Sequence, residues 1–308
     1  MIPTVWLASY PKSGNTWFRL LLANLREGGD EPADINDMPE RGGLASARGA
    51  FDAHLLIESG LLTHEESDNL RPRLYELQSS GEGILEDEAE HDEKVRFPKV
   101  HDAYVQTGKG EPLLAGARGA QGAIVIVRDP RDVAPSLAHH MRFSLEEAIA
   151  FMADPGATFS GTRSNQPNQL RQRLLDWSGH VASWLDQTDI PTHLVRYEDL
   201  QADTAGVLAG ALEFAGRSVS PYEIERAVAF SSFAELSRQE QAKGFREAPR
   251  PNEPGRFFRR GETGRWREDL SLEQAERVEG RHAAMMRRLG YDPSAPASVL
   301  PAWVKGTK

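Results

Sequence analysis

The alternation of short apolar runs with helical segments restricts the fold of this chain more than any other feature. Four runs have the length and composition of buried strands: Val5–Ala8, Phe97–Val100, Ala123–Val127 and Thr192–Tyr197. Strands that alternate with helices predict an α/β fold of three layers, in which a central parallel sheet is flanked by helices on both faces. Ligands of such sheets bind beyond the carboxyl ends of the strands. Polar motifs that directly follow a strand are therefore the first candidates for a functional site.

The helical spacing of apolar residues predicts the elements between these runs. Helices are expected over Thr16–Glu27, from Arg131 through Leu137, and over Trp177–Leu185, Thr204–Ala215 and Tyr222–Phe230. Ser271 and Gln274 form a capping-box pattern, which predicts a last helix that ends near Leu289.

Two segments depart from this pattern. Residues 28–96 are rich in glycine and acidic residues, and six acidic side chains surround His91 within residues 86–93. Such a charge run is typical of a solvated loop, with a metal site as the alternative. Residues 241–267 carry three prolines and seven arginines, so we expect a mobile loop that orders when an anion neutralises its charge. We therefore interpret residues 1–308 as one domain with an insertion near 28–96 and an Arg-rich loop near 241–267.

The overall composition excludes several classes of protein. The 308 residues include no cysteine, which excludes disulfides and thiolate metal sites and is typical of a reducing compartment. The net charge of −10 argues against nucleic-acid binding, which needs a basic surface. No signal-peptide pattern opens the chain, and no apolar run reaches the roughly 20 residues that span a bilayer. We expect a cytoplasmic protein with no membrane span.

The turn after the first strand, Tyr10–Trp17, has the features of an anion site. A turn that leads from a strand into a helix directs main-chain N–H groups and the positive end of the helix dipole at a ligand. Its side chains add a positive charge and further donors: Lys12, Ser13, Asn15 and Thr16. The lysine precedes Gly14, so this is not a Walker A sequence. The alternative is an ordinary turn with a helix cap.

A second polar motif follows the third strand. Arg128 leaves the end of that strand, where a bound anion would lie, and Ser136 comes two helical turns later. The alternative is a surface cluster in which Arg128 and Arg131 pair with the neighbouring aspartates, an arrangement that contributes little to stability.

Together these motifs resemble those of the sulfotransferases that use 3′-phosphoadenosine 5′-phosphosulfate (PAPS). Five segments match in the family's order over nearly the whole chain: Tyr10–Trp17, Arg128 with Ser136, Tyr197–Asp199, Ser231–Phe233 and Phe257–Gly261. The resemblance implies a P-loop-like fold in which the first segment binds the 5′-phosphosulfate. It also implies that the 3′-phosphate is bound by four side chains, Arg128, Ser136, Arg259 and Arg260. The adenine would be held by three aromatic residues, Trp17, Tyr197 and Phe233.

Phe97–His101 is similar to the family's K-T-H element, which implies that His101 is the catalytic base. Alternate residues of a strand share a face, so Lys99 and His101 can point into one cleft. By the same resemblance, Lys12 would meet the bridging oxygen of PAPS and Lys99 the transferred sulfuryl oxygens. The alternative is that His101, at the end of a strand, has only a structural role. We expect His139 and His140, on a helix, to be solvated or packed.

Three positions differ from the family's pattern. Ser231 stands in place of threonine and Arg260 in place of lysine, which keeps the hydroxyl and the charge respectively. Gly264–Arg267 stands where many members have G-D-W-K.

The sequence thus predicts a sulfotransferase that moves a sulfuryl group from PAPS to the hydroxyl of a small molecule, without a metal. The runner-up is a P-loop kinase that uses ATP, against which the arginines for a 3′-phosphate argue. A nucleotide-binding protein that has lost catalysis is a third interpretation. The segment that contains Arg267, Ser271, Leu272 and Glu276 resembles the family's dimer motif, which predicts at most a weak homodimer, with a simple helix start as the alternative.

Overall fold

A four-stranded parallel sheet organises the protein. The structure is a computed structural model that describes residues 3–27, 29–38, 43–81, 95–161, 168–248, 257–258 and 261–292. The strands of this sheet are β1 (Val5–Ser9), β2 (Lys99–Val100), β3 (Gly122–Val127) and β6 (Thr192–Arg196), in the order β2-β1-β3-β6. Two short strands, β4 (Thr158–Phe159) and β5 (Gln172–Arg173), form a separate antiparallel pair.

Helices connect the strands and cover the sheet. In the first half of the chain they are α1 (Asn15–Glu27), α2 (Arg48–Leu55), α3 (His64–Ser80), α4 (Pro130–Met141) and α5 (Leu145–Met152). In the second half they are α6 (Trp177–Asp186), α7 (Tyr197–Ala202), α8 (Thr204–Phe214), α9 (Pro221–Phe230), α10 (Phe233–Lys243), α11 (Trp266–Asp269) and α12 (Leu272–Arg288). No helix within the described ranges is long and apolar enough to cross a bilayer.

The core lies on both faces of this sheet. Trp6 and Ala8 of β1 belong to one buried cluster, which also contains Trp177 of α6. Val5 and Leu7 of the same strand belong to the other cluster, beside α1 and α8. Because side chains alternate along a strand, the wholly apolar runs fill both layers. The predicted three-layer α/β fold is confirmed.

The structure differs from the sequence prediction at the second strand and in the weakly patterned segments. The strand predicted from Phe97 is only the two residues of β2, since Pro98 has no N–H for a ladder hydrogen bond. Residues 28–96 contain α2 and α3, and α10 and α11 occupy the two ends of the predicted Arg-rich loop. The acidic run and the middle of that loop lie outside the described residues. Ser271 caps α12 with Gln274 in the predicted capping box.

Candidate active site

The turn after β1 is bent by two residues with left-handed backbone conformations. Lys12 has a φ of 69° and Gly14 a φ of 105°. A non-glycine residue in this region costs about 1–3 kcal/mol, and such positions cluster at ligand sites. At Gly14 an added Cβ would lie 2.5 Å from Tyr197 Cδ2, so that position requires glycine. Asn15 donates to the Leu7 main-chain oxygen at 2.9 Å and ties the start of α1 to β1.

A cavity of about 520 Å³ opens at the carboxyl ends of β1, β2 and β3. It is lined by most residues that the sequence predicted for the site: Lys12, Gly14, Asn15, Thr16, Trp17, Lys99, His101, Arg128, Ser136, Tyr197, Phe233 and Gly261. These residues come from separate parts of the chain, and the parallel sheet brings them together because its strands end on one edge.

Two predicted residues, Ser13 and Ser231, are not among those that line this cavity. Ser13 is buried, and its hydroxyl makes no hydrogen bond within the described part of the chain. The Ser231 hydroxyl accepts a hydrogen bond from Asn24 Nδ2 at 3.0 Å, while its main-chain oxygen accepts one from Trp17 Nε1 at 3.0 Å. Ser231 therefore positions Trp17. Arg259 and Arg260 lie outside the described residues.

Arg128 and Arg131 have different environments. Arg131 is buried and pairs with Asp129 at 2.7 Å and with Glu279 at 2.6 Å. Arg128 instead lies over the Tyr197 ring, 4.4 Å from its centroid, and lines the cavity. Its Nε atom is buried and has no hydrogen-bond partner in the described structure. The alternative of acid pairing thus holds for Arg131, in the interior, whereas Arg128 lines the cavity and donates to the main-chain oxygens of Lys12 and Glu262.

His101 follows β2 and is held in a defined tautomer. Its Nδ1 lies 2.8 Å from the Ser9 main-chain oxygen, which can only accept, so Nδ1 carries the proton. The lone pair of Nε2 is then the one available to a group in the cavity. Burial, and next the charge of Lys99, lower the pKa of His101 well below 6.5. The ring is neutral at neutral pH.

Lys99 shares the cavity with an acidic residue that the sequence did not indicate. Glu247, which follows α10, lies 3.5 Å from Lys99 Nζ and 2.6 Å from Arg19 NH1. Its carboxylate also accepts a hydrogen bond from Thr16 Oγ1 at 2.9 Å. Glu247 lies 228 residues from Arg19 in an unpatterned segment, so no spacing signal connects the two.

The wall beside α4 includes two histidines. His139 and His140 both line the cavity, whereas the sequence predicted them to be solvated or packed. Burial, followed by the charges of Lys12 and Lys99, lowers the pKa of His140 to about 4. The cavity therefore has a second imidazole that is neutral at neutral pH.

Aromatic rings border the other end of the cavity. Trp17 and Tyr197 meet edge to face at 5.7 Å, and Phe233 remains partly exposed. Gly261 has a φ of 60°, and an added Cβ would lie 2.6 Å from Phe233 Cδ2. The Phe257 ring lies 4.2 Å from Lys12 Nζ. Aromatic side chains in a cavity are the groups on which a nucleobase can stack.

Comparison with known proteins matches the sulfotransferase domain to residues 122–290, more than half of the chain. The chain belongs to the sulfotransferase family. Mouse sulfotransferase 2B1 is 25% identical over 185 residues, which are 56% of this chain and 50% of that protein. Human sulfotransferase 2B1 is 22% identical over 292 residues, covering 94% of this chain and 67% of that protein. The chain thus spans about half the length of the mouse and rat relatives that it matches.

Solved structures of sulfotransferases share the fold of this family member. A mouse sulfotransferase complexed with PAP (adenosine 3′,5′-bisphosphate) superposes with a TM-score of 0.57 at 18% identity. The superposition covers 92% of this chain and 84% of that one. Retinol dehydratase in complex with androsterone and the inactive cofactor PAP gives a TM-score of 0.57 at 20% identity, covering 96% and 83%. The predicted P-loop-like α/β fold is confirmed by these similarities.

Proposed function

We propose that this protein transfers a sulfuryl group from PAPS to a hydroxyl of a small molecule, releasing adenosine 3′,5′-bisphosphate (PAP). The observation that carries the proposal is His101, whose Nδ1–H is donated to Ser9 and whose Nε2 lone pair is left to the cavity that Lys12 and Lys99 line. A neutral imidazole beside two ammonium groups is the arrangement that a hydroxyl needs when it attacks an anionic donor.

The proposed donor site begins at the turn Tyr10–Trp17, called here the anion turn, and extends across the strand ends of the sheet. Lys12, the N–H groups around Gly14 and the hydroxyl of Thr16 would bind the 5′-phosphosulfate. Arg128 and Ser136 would bind the 3′-phosphate, together with Arg259 and Arg260 from outside the described residues. Charge-assisted hydrogen bonds of this kind contribute about 1.5–3 kcal/mol each.

The adenine would lie among the aromatic rings at the far end of the cavity. Trp17 and Phe233 would hold the base between them, and Tyr197 packs edge to face against Trp17. Gly261 allows the main chain to approach Phe233, so the ring keeps its orientation. PAP is bound in the solved structures that share this fold, which supports the assignment of the donor.

Transfer in this cavity would form one S–O bond and break another. The acceptor oxygen attacks sulfur while its proton passes to His101 Nε2, and the S–O bond to the phosphate breaks. Lys99 would neutralise the sulfuryl oxygens and Lys12 the oxygen of the leaving phosphate. The protein mainly positions the groups and neutralises charge, as in phosphoryl transfer.

The acceptor would enter beside β4 and α4. Leu44 and Phe159 contribute apolar surface there, and Gln169 and His140 contribute polar atoms. Retinol dehydratase, which shares the fold, binds androsterone and retinol in its solved structures. Such a wall suits a largely apolar molecule with one hydroxyl directed at His101.

Two measurements test this proposal. Thermal-shift binding compares PAP, ATP with Mg²⁺, and buffer; we expect stabilisation by PAP, whereas stabilisation by ATP with Mg²⁺ alone would favour a kinase. Mass spectrometry of hydroxylated metabolites incubated with PAPS then identifies products that have gained a sulfuryl group. Binding of PAP without turnover of any acceptor would support the inactive nucleotide-binding protein.

A further inference from the structure

Glu247 is the residue of the cavity that neither the motifs nor the proposed reaction explains. It reaches the site from the segment after α10, and its side chain is 29% exposed. Three groups from two other elements hold its carboxylate, namely Thr16 and Arg19 of α1 and Lys99 of β2. A carboxylate with that many partners has a fixed position.

The environment of Glu247 makes it a poor base for the reaction. Burial by itself would raise the pKa of this carboxyl, but Lys99 and Arg19, with hydrogen bonds from Arg19 and Thr16, hold it far below its usual range. Glu247 is therefore a carboxylate at neutral pH, and its low pKa makes it a weak base for the proton of a hydroxyl. Its chemical role is that of an anion.

Lys99 is the group that needs such an anion. Its side chain is only 17% exposed, and burial lowers its pKa. The charged and titratable groups around it are Arg19 from α1, His101 beyond β2, His140 from α4, and Glu247. Arg19 lowers the pKa of Lys99 further, and Glu247 is the acidic group that opposes burial.

We infer that Glu247 is a positioning residue that keeps Lys99 charged and directed into the cavity, where the proposed reaction needs an ammonium group for the sulfuryl oxygens. The inference rests on the proposed function for the role of Lys99. The contact between Glu247 and Lys99 is an observation independent of that function.

The carboxylate and the transferred group can share Lys99. An ammonium group has three donors, so a contact with Glu247 leaves others for sulfuryl oxygens. Arg19, which pairs with Glu247 at 2.6 Å, keeps the carboxylate in place when Lys99 turns toward a ligand. The alternative is that Glu247 competes with the donor for the positive charges of the cavity. Removal of its charge should then tighten the binding of PAP.

Chemical labelling of Lys99 tests the inference without any turnover. The protein is treated with trace acetic anhydride from pH 6 to 11, and mass spectrometry gives the pH at which Lys99 is half reactive. In Glu247→Gln, this midpoint should fall by about one pH unit or more, because a close opposite charge shifts a pKa by about 1–3 units. In Glu247→Asp, which keeps the charge, the shift should be smaller. An unchanged midpoint in Glu247→Gln would overturn the inference.

Glu262→Gln is the matched control. Glu262 lines the same cavity, but its carboxylate pairs with Arg265 at 2.7 Å. The control removes the same charge, so the Lys99 midpoint should stay at the wild-type value. An equal shift in both variants would mean that Lys99 senses only the general field of the cavity, which would also overturn the inference.

Activity and nucleotide binding supply the second readout. The alkaline limb of the kcat profile should move to lower pH in Glu247→Gln and be largely restored in Glu247→Asp. Tighter binding of PAP by Glu247→Gln, with an unmoved alkaline limb, would show a competing anion instead. Failure of the wild-type protein to bind PAP would refute the proposed function and leave the labelling result standing.

Discussion

His101→Asn separates the chemistry of His101 from its structural role. An asparagine amide can still donate to the Ser9 main-chain oxygen, which His101 Nδ1 contacts at 2.8 Å, but it has no basic nitrogen for the cavity. The variant therefore keeps a buried hydrogen bond worth about 1 kcal/mol and should fold with a nearly unchanged Tm. What it loses is the proton acceptor.

The expected loss follows from the role of a general base. Such a base contributes about 10²–10⁴-fold, and about 1.4 kcal/mol corresponds to each factor of ten, so the barrier should rise by roughly 3–5 kcal/mol. The assay is kcat/KM for an acceptor identified with PAPS, together with calorimetry of PAP. Binding of PAP should be nearly normal, because the base faces the acceptor and not the nucleotide.

The pH dependence gives a second check of the same residue. Only the neutral imidazole can accept a proton, and burial followed by Lys99 lowers its pKa. Wild-type kcat/KM should therefore persist below pH 6.5 and fall only as the pH passes through the lowered value. An acid limb above pH 6.5 would contradict this environment of His101.

His54→Asn provides the matched control. His54 Nδ1 also lies 2.8 Å from a main-chain oxygen, that of Ala50, but the residue is on α2 and does not line the cavity. The kcat/KM of His54→Asn should equal that of the wild type. If His101→Asn retains more than about a tenth of the activity, His101 is a structural histidine and another base must be sought.

Four further predictions concern binding, the anion turn, acid stability and assembly. Lys12→Ala and Arg128→Ala should each weaken PAP binding by about 1.5–3 kcal/mol, and calorimetry that shows no change in both variants would refute the donor site. Gly14→Ala should weaken PAP binding more than the exposed Gly49→Ala does, since only at Gly14 do a φ of 105° and Tyr197 oppose a Cβ; equal affinities would refute the role of the turn. Burial lowers the pKa of His180 to about 4 and that of His282 to about 3, so the unfolded chain takes up protons first below pH 6.5. Each histidine should then cost about 1.4 kcal/mol of stability per pH unit, and a Tm that stays constant from pH 7 to 5 would contradict this. A concentration-dependent dimer, if measured by sedimentation, should weaken in Glu276→Arg, and a dimer unaffected by that change would exclude the segment after Arg267 as its interface.

The strands and the residues that follow them could be predicted from the sequence because their signals are local. The short, wholly apolar and β-branched run Ala123–Val127 is typical of a strand buried on both faces, and it lies in β3. Polar residues that follow parallel strands meet at one edge of the sheet, and Lys12, His101 and Arg128, which follow three of the strands, all line one cavity. The predicted sulfotransferase family is confirmed by the match of its domain to residues 122–290.

The sequence by itself determined the order of strands and helices, the turn after β1 and the set of residues at the strand ends, since each depends on periodicity or on a contiguous motif. Only the tertiary structure decided how these groups are charged and oriented. The Ser9 main-chain oxygen fixes the tautomer of His101, and Glu247 is the anion beside Lys99. Arg128 packs over the ring of Tyr197. These contacts join positions far apart in the chain through burial, which no local pattern records, and burial sets the pKa values on which the proposed chemistry depends.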